Sequence, residues 1–251
     1  EKQAEEKPEV KEETFLFDKS YECPVCYQGF KAKTVRSGKL RSLGTDRDLR
    51  PLYDQMEPLK YDVVICPHCG YAALTRFFGG LTAGQIKAIK ENISANFHPV
   101  KEEKETYTYE EALYRYKLCL ANTIVKHGKV SEKAYICLKA GWLLRSMGEN
   151  LDPAVEDYNK KMQEIKEQEK DFLKNALDGL ITARQTESYP ICGMDEVTLE
   201  YLIAVLAMEF EKYDISSRLI YNILNTPTVN NRIKDKAREV KDELLQQMGK
   251  K

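Results

Sequence analysis

Two short cysteine pairs, Cys23-Pro24-Val25-Cys26 and Cys66-Pro67-His68-Cys69, are the residues whose type and spacing most directly define a chemistry. Four thiolates close a tetrahedral site around a soft divalent ion, and such a site tolerates any length of chain between its two halves. The expected ligands are Cys23, Cys26, Cys66 and Cys69, and the expected cofactor is a structural Zn²⁺. Iron in a rubredoxin-like site would use the same four sulfurs. The gap between the pairs exceeds the roughly 15 to 20 residues usual between zinc knuckles, so the stretch between them reads as one insertion. A Cys-x-x-Cys pair can instead be a redox dithiol. Those sit singly at a helix N-terminus in a βαβ setting, whereas both pairs here contain proline and follow strand-like runs.

The insertion is basic, carrying Lys31, Lys33, Arg36, Lys39, Arg41, Arg47 and Arg50 against Asp46 and Asp48. These seven cations are candidate contacts for phosphate or nucleic acid. They lack the interleaved aromatics that stack on bases, which favours a solvated loop. His68 lies between two ligands and is expected to face solvent or donate a hydrogen bond behind the metal. His98 precedes a proline, and His127 closes a helix, where its cation suits the dipole. Cys119, Cys137 and Cys192 read as small hydrophobes. A four-sulfur site has no open position for a substrate water. No phosphate-cradling glycine loop, nucleophile elbow or His-Glu metalloprotease helix occurs in the sequence. A non-enzymatic protein is therefore expected.

Short aromatic-rich runs position the sulfurs: Thr14-Phe15-Leu16-Phe17 and Lys19-Ser20-Tyr21-Glu22 lead into the first pair, and Tyr61-Asp62-Val63-Val64-Ile65 into the second. Both pairs thus sit at strand ends. Gly70 follows the second pair where a knuckle turn often needs positive φ, and Tyr27 holds the equivalent place in the first. A capping box of Thr82 and Gln85 with a Leu81–Ile86 staple starts a helix whose apolar residues Ile86, Ile89, Ile93 and Phe97 face the ribbon.

Residues 1–13 are nearly all charged and predict a disordered tail. Residues 14–100 form the zinc-ribbon-like domain with its basic insertion and one packing helix. Lys101 to Glu105 is a charged linker, and residues 106–251 form an α-helical repeat-like domain. In that half Thr108 and Glu111 cap one helix, which ends with Gly128 at the C-cap position. A second helix, from about Ser131 to Met147, carries Trp142 and is expected to be the most buried. Asp152-Pro153 opens a long third helix whose charged part, from Asn159 to Lys174, projects past its neighbours. Asp195 starts another helix, a short one follows, and the last comes after Pro227. The tetratricopeptide repeat is the best-fitting template, since small residues between Leu202 and Ile223 fall where two antiparallel helices touch; a generic helical bundle is the alternative, because about three units are normally needed to stack stably. The fold class is mainly α, with a small β zinc-ribbon-like N-terminal part and tetratricopeptide-like helical hairpin repeats behind it.

The chain of 251 residues is 42% hydrophobic and 31% charged with a formal net charge of −1, so any nucleic-acid or membrane affinity would need a local patch. Seven cysteines without a secretory pattern favour reduced thiols and a cytoplasmic location. No apolar run reaches the roughly 18 residues of a membrane span.

The run Cys23-Pro24-Val25-Cys26, Asp48-Leu49-Arg50-Pro51, Pro58 to Val64 and Cys66 to Ala73, with the helical segment Ser131 to Leu138, resembles the bacterial family called domain of unknown function 2225. The resemblance covers nearly everything after Glu13 and implies a cytosolic bacterial protein with a zinc-ribbon-like front and helical repeats behind. Two functional expectations follow from the residues. One is an adaptor that binds a protein or peptide partner on its concave helical surface. The other is a nucleic-acid-binding ribbon that uses the arm from Lys31 to Arg50.

Overall fold

The computed structural model describes residues 11–99 and 104–249. Three two-stranded antiparallel hairpins precede a helical array. Strands β1 (Leu16–Glu22) and β2 (Gly29–Val35) pair in register from Leu16↔Val35 to Glu22↔Gly29. Strands β3 (Ser42–Thr45) and β4 (Pro51–Tyr53) form the second hairpin, and β5 (Val63–Ile65) and β6 (Ala72–Leu74) the third. Each cysteine pair lies in the turn of a hairpin, Cys23 and Cys26 between β1 and β2, Cys66 and Cys69 between β5 and β6. A strand also leaves each knuckle, β2 after the first and β6 after the second; charge alone makes Lys31, Lys33 and their neighbours look like loop.

Helix α1 (Ala83–Asn92) begins with the expected capping box, and its buried Ile89 lies in the same apolar cluster as the cysteines. The remaining helices are α2 (Tyr109–Val125), α3 (Val130–Glu149), α4 (Tyr158–Thr186), α5 (Glu196–Glu209), α6 (Tyr213–Asn225) and α7 (Asn231–Met248). Each packs on the next in chain order, as stacked hairpins require. Two glycines let α3 and α4 approach closely. A Cβ on Gly141 would stand 2.6 Å from Leu173 Cδ2, and one on Gly179 2.7 Å from Ala134 Cβ.

Several expectations are corrected in detail. Residues 1–10 lie outside the described residues, but Glu12 belongs to an ordered turn, and its carboxylate binds Lys60 Nζ and Tyr61 Oη at 2.8 Å each. The left-handed residue that ends α2 is His127 (φ 51°), one position before Gly128. Gly128 is required because its backbone abuts Thr123 and Glu132. The third helical element does not open at Asp152-Pro153. Asp152 accepts from Ala154 N at 2.8 Å in a local turn, which absorbs the cap, and α4 starts at Tyr158 after Asp157 in left-handed conformation. Its charged half does not simply project: Ile165 is buried and Glu169 pairs with Arg145. The most enveloped helix is α5, where every residue from Leu199 to Met208 is buried, and not α3.

Residues 14–100 and 106–251 do not pack on separate cores. Leu59, Val63, Ala72 and Leu74 of the ribbon half share one continuous apolar cluster with α2 to α7. Alternation explains this: Ala72 and Leu74 face α2, while Ala73 between them faces the cysteines. Polar contacts close the same seam. Tyr116 Oη donates to Leu59 O at 3.1 Å, and Lys139 pairs with Asp62.

Candidate metal centre

The two knuckles are built alike. Tyr27 N donates to Cys23 O at 2.8 Å and Gly70 N to Cys66 O at 3.0 Å. Cys23 N donates to Gln28 O at 3.0 Å and Cys66 N to Tyr71 O at 2.8 Å. Tyr27 (φ 61°) and Gly70 (φ 73°) both turn left-handed, as their equivalent places predict. Gly70 has a second reason to lack a side chain, since a Cβ there would stand 2.5 Å from the Phe97 ring. Tyr27 is 64% exposed.

These turns bring four sulfurs together. Cys23 Sγ lies 3.5 Å from Cys69 Sγ, Cys26 Sγ 3.6 Å from Cys66 Sγ, and all four ligand atoms lie within 4.8 Å of one another. A tetrahedron with metal–sulfur bonds of about 2.3 Å has edges of roughly 3.8 Å, so the residues fit a four-thiolate ion. No disulfide joins them. The pairs alternate, each close contact joining one knuckle to the other, so a bound ion would clamp the first hairpin to the third. Cys23, Cys66 and Cys69 are buried beneath Val25, Tyr71 and Ile89.

Electrostatics favour anionic sulfur at one corner. Hydrogen bonds from Cys66 and Cys69 hold the Cys23 thiol far below its ordinary range, and the amides of Cys26 and Val25 add to this. The same bonds push the partners up, Cys66 to about 12. Backbone amides at His68 and Cys69 point at Cys66, and that at Tyr71 points at Cys69, an arrangement that stabilises thiolates once a cation is present. His68 itself is exposed, as is His98. Cys119 and Cys137 are buried, and burial pushes both thiols up, Cys137 to about 11. Cys192 is half-buried in a loop.

Asn122 fixes the centre to the helices. Its Nδ2 donates to Gly70 O at 3.1 Å and to Leu118 O at 3.0 Å from a fully buried position on α2. An asparagine inside an amphipathic helix has no pattern that marks this role in the sequence.

The basic insertion does not form one cationic face. Lys33 pairs with Asp18 at 3.0 Å, Arg36 donates to Leu16 O at 3.0 Å and covers the Phe17 ring, and Lys39 donates to Thr14 O at 3.1 Å. Arg41 stands 3.9 Å from Asp54, and Arg47 pairs with Glu243. Arg50 is buried, with Asp46 at 2.6 Å and Glu149 at 2.7 Å. Lys31 points to solvent from β2. The turn from Asp46 to Arg50 instead lies among the helices: Asp48 Oδ2 accepts from Trp142 Nε1 at 2.9 Å and pairs with Arg145 at 2.9 Å, and Tyr201 Oη donates to Arg47 O at 3.1 Å. Asp46 and Asp48 are thus structural anchors, a role that counting them against the surrounding cations concealed.

A family model described as an uncharacterized protein conserved in bacteria (DUF2225) matches residues 16–244. No curated protein and no solved structure matches.

Proposed function

We propose, from the premise that the chain belongs to the bacterial family DUF2225, that it is a non-enzymatic scaffold held together by a structural Zn²⁺ on Cys23, Cys26, Cys66 and Cys69. The observation that carries this reading is the closed, alternating set of four sulfurs at near-tetrahedral spacing, three of its cysteines buried. Soft thiolates select zinc among the abundant divalent ions, and the cytoplasm keeps such thiols reduced. Four protein ligands leave no coordination position for substrate, so the ion would supply folding energy and no reaction step.

The adaptor part of the reading assigns partner binding to the helical exterior. The face lined by α3, α5 and α7 is already taken by the protein's own turn from Thr45 to Arg50, through Trp142, Tyr201 and Glu243. Tyr221 of α6 and Leu245 and Met248 of α7 are large apolar side chains at least half exposed, with Met248 Sδ 4.0 Å from Ser217 Oγ.

The test has two arms. Elemental analysis of the purified chain is expected to find one zinc per chain, lost in Cys23→Ser; a metal-free folded protein overturns the zinc reading. Crosslinking in native cytosol is expected to capture a protein that Tyr221→Glu with Leu245→Glu releases. If both chains capture the same set, the adaptor reading fails while the metal centre stands.

A further inference from the structure

Three loops meet at a cleft of about 670 Å³. They are the segment after β6, the α2–α3 turn and the α4–α5 loop. The volume lies within the range of small-molecule sites, roughly 300 to 1,000 Å³. The walls combine apolar surface, notably Phe77 and Leu81, with the cations Arg76, Lys126 and Lys129 and the imidazole of His127.

The acids of the cleft are already committed. Glu132 binds Lys126 Nζ at 2.6 Å. Glu187 accepts from Ser131 N at 2.9 Å and Ser131 Oγ at 2.6 Å, supplying the cap that Lys129, at the N-cap position of α3, does not provide. That leaves Arg76, His127 and Lys129 without an acidic partner among the described residues, on a chain whose formal net charge is −1. Arg76 is held in place by Cys192 O at 2.7 Å and by the Phe77 and Tyr135 rings.

The backbone adds a second, independent feature. Gly79 (φ 133°), Gly80 (φ 63°), His127 (φ 51°), Cys192 (φ 49°) and Gly193 (φ 80°) all line the cleft in left-handed conformation. At His127 and Cys192 this conformation costs free energy, and residues so held concentrate at ligand sites.

We propose that this cleft binds a small molecule bearing an oxyanion, a phosphate or a carboxylate, on a partly apolar body. Arg76, His127 and Lys129 meet the oxyanion, and Phe77 and Leu81 cover the apolar part. The inference goes beyond the scaffold reading and does not depend on it.

The test is an amide NMR titration of the full chain with phenyl phosphate, benzoate and benzyl alcohol at constant ionic strength. Either anion is expected to shift Gly79, Gly80 and Gly193 saturably at millimolar concentration, and the stronger of the two identifies the head group. Benzyl alcohol is expected to shift them little. Lys129→Ala, at an exposed position, and His127→Asn, which tolerates the left-handed backbone, are each expected to weaken binding about tenfold, as loss of one charge-assisted contact implies. Lys90→Ala, outside the cleft, is expected to leave binding unchanged. Absence of saturable shifts at these glycines, equal response to the alcohol, or unchanged affinity in both cleft variants overturns the proposal.

Discussion

Trp142 Nε1 donates to Asp48 Oδ2 at 2.9 Å across 94 residues of sequence, and both side chains are almost fully buried. The same carboxylate faces Arg145 at 2.9 Å, so one aspartate of the inter-knuckle insertion satisfies an indole and a guanidinium on α3. Replacing Asp48 with Ala strands the indole N–H and leaves Arg145 to Glu169 and Asp46. Asp48→Ala is expected to cost on the order of 3 kcal/mol, as removal of one member of a buried pair does. Chemical denaturation followed by the emission of Trp142, the single tryptophan, measures it; a loss below about 1 kcal/mol would mean that Asp46 takes over the pair.

The isolated segment 106–251 is expected to be poorly folded. Without residues 14–100 it exposes the α2 face that covers Leu59, Val63, Ala72 and Leu74, and it leaves Trp142 unpaired. Red-shifted tryptophan emission and a non-cooperative melt are the expected signs. A cooperative melt with native emission would show that the helices need nothing from the ribbon.

Metal removal is expected to spread beyond the knuckles. The centre is tied to α2 through Asn122 and Gly70, and β6 presents one face to the sulfurs and the other to the helices. After chelation, hydrogen exchange is expected to accelerate at Val63–Leu74 and around Cys119–Asn122, with a lower Tm. Change confined to residues 23–28 and 66–71 would show that the centre is energetically isolated.

Gly179→Ala is expected to destabilise, although alanine is favoured over glycine in a helix interior by about 1 kcal/mol. The new Cβ would stand 2.7 Å from Ala134 Cβ, on a neighbour with no flexible end to yield, and overpacking costs about 1–3 kcal/mol. A raised Tm in the variant would show that α3 and α4 separate freely.

Glu57 gives a pH-dependent test. Burial pushes its carboxyl above the ordinary carboxylate range, despite hydrogen bonds to Ser146 and the Leu59 amide that act the other way. A folded pKa above the unfolded one means that its contribution is fully present below the unfolded pKa and is lost as pH rises through the folded value. Glu57→Gln keeps an acceptor for Leu59 N and is expected to stabilise the protein near neutral pH, with the advantage disappearing below about pH 4. Equal stability of the two chains at neutral pH would count against this assignment.

Those elements whose signals are local were legible in the sequence. The clustering of the four cysteines follows from residue type and spacing, and the α1 and α2 caps follow from Thr82, Gln85, Thr108 and Glu111, each of which makes its expected bond. What escaped depends on contacts distant in sequence. The basic residues of the insertion read as an arm because Glu149 and Glu243, which pair with Arg50 and Arg47, lie far along the chain. Asp152-Pro153 has every mark of a helix start, yet a local turn claims its carboxylate. The shared core escaped for a related reason, since a three-residue strand such as β6 is too short for alternation to reveal that both its faces are covered.

The Arg47–Glu243 pair joins residues 196 positions apart, and this has a consequence for the order in which a ribosome delivers the chain. Both knuckles emerge early and can gather around an ion while most of the helices are still unmade. The Asp46–Arg50 turn then waits with its acids and arginines uncovered until α3, α5 and finally α7 arrive to receive it. A nascent chain arrested before α7 would therefore present a closed four-cysteine cluster and an undocked turn, so limited proteolysis of stalled chains should cut near Arg47 and spare the knuckles.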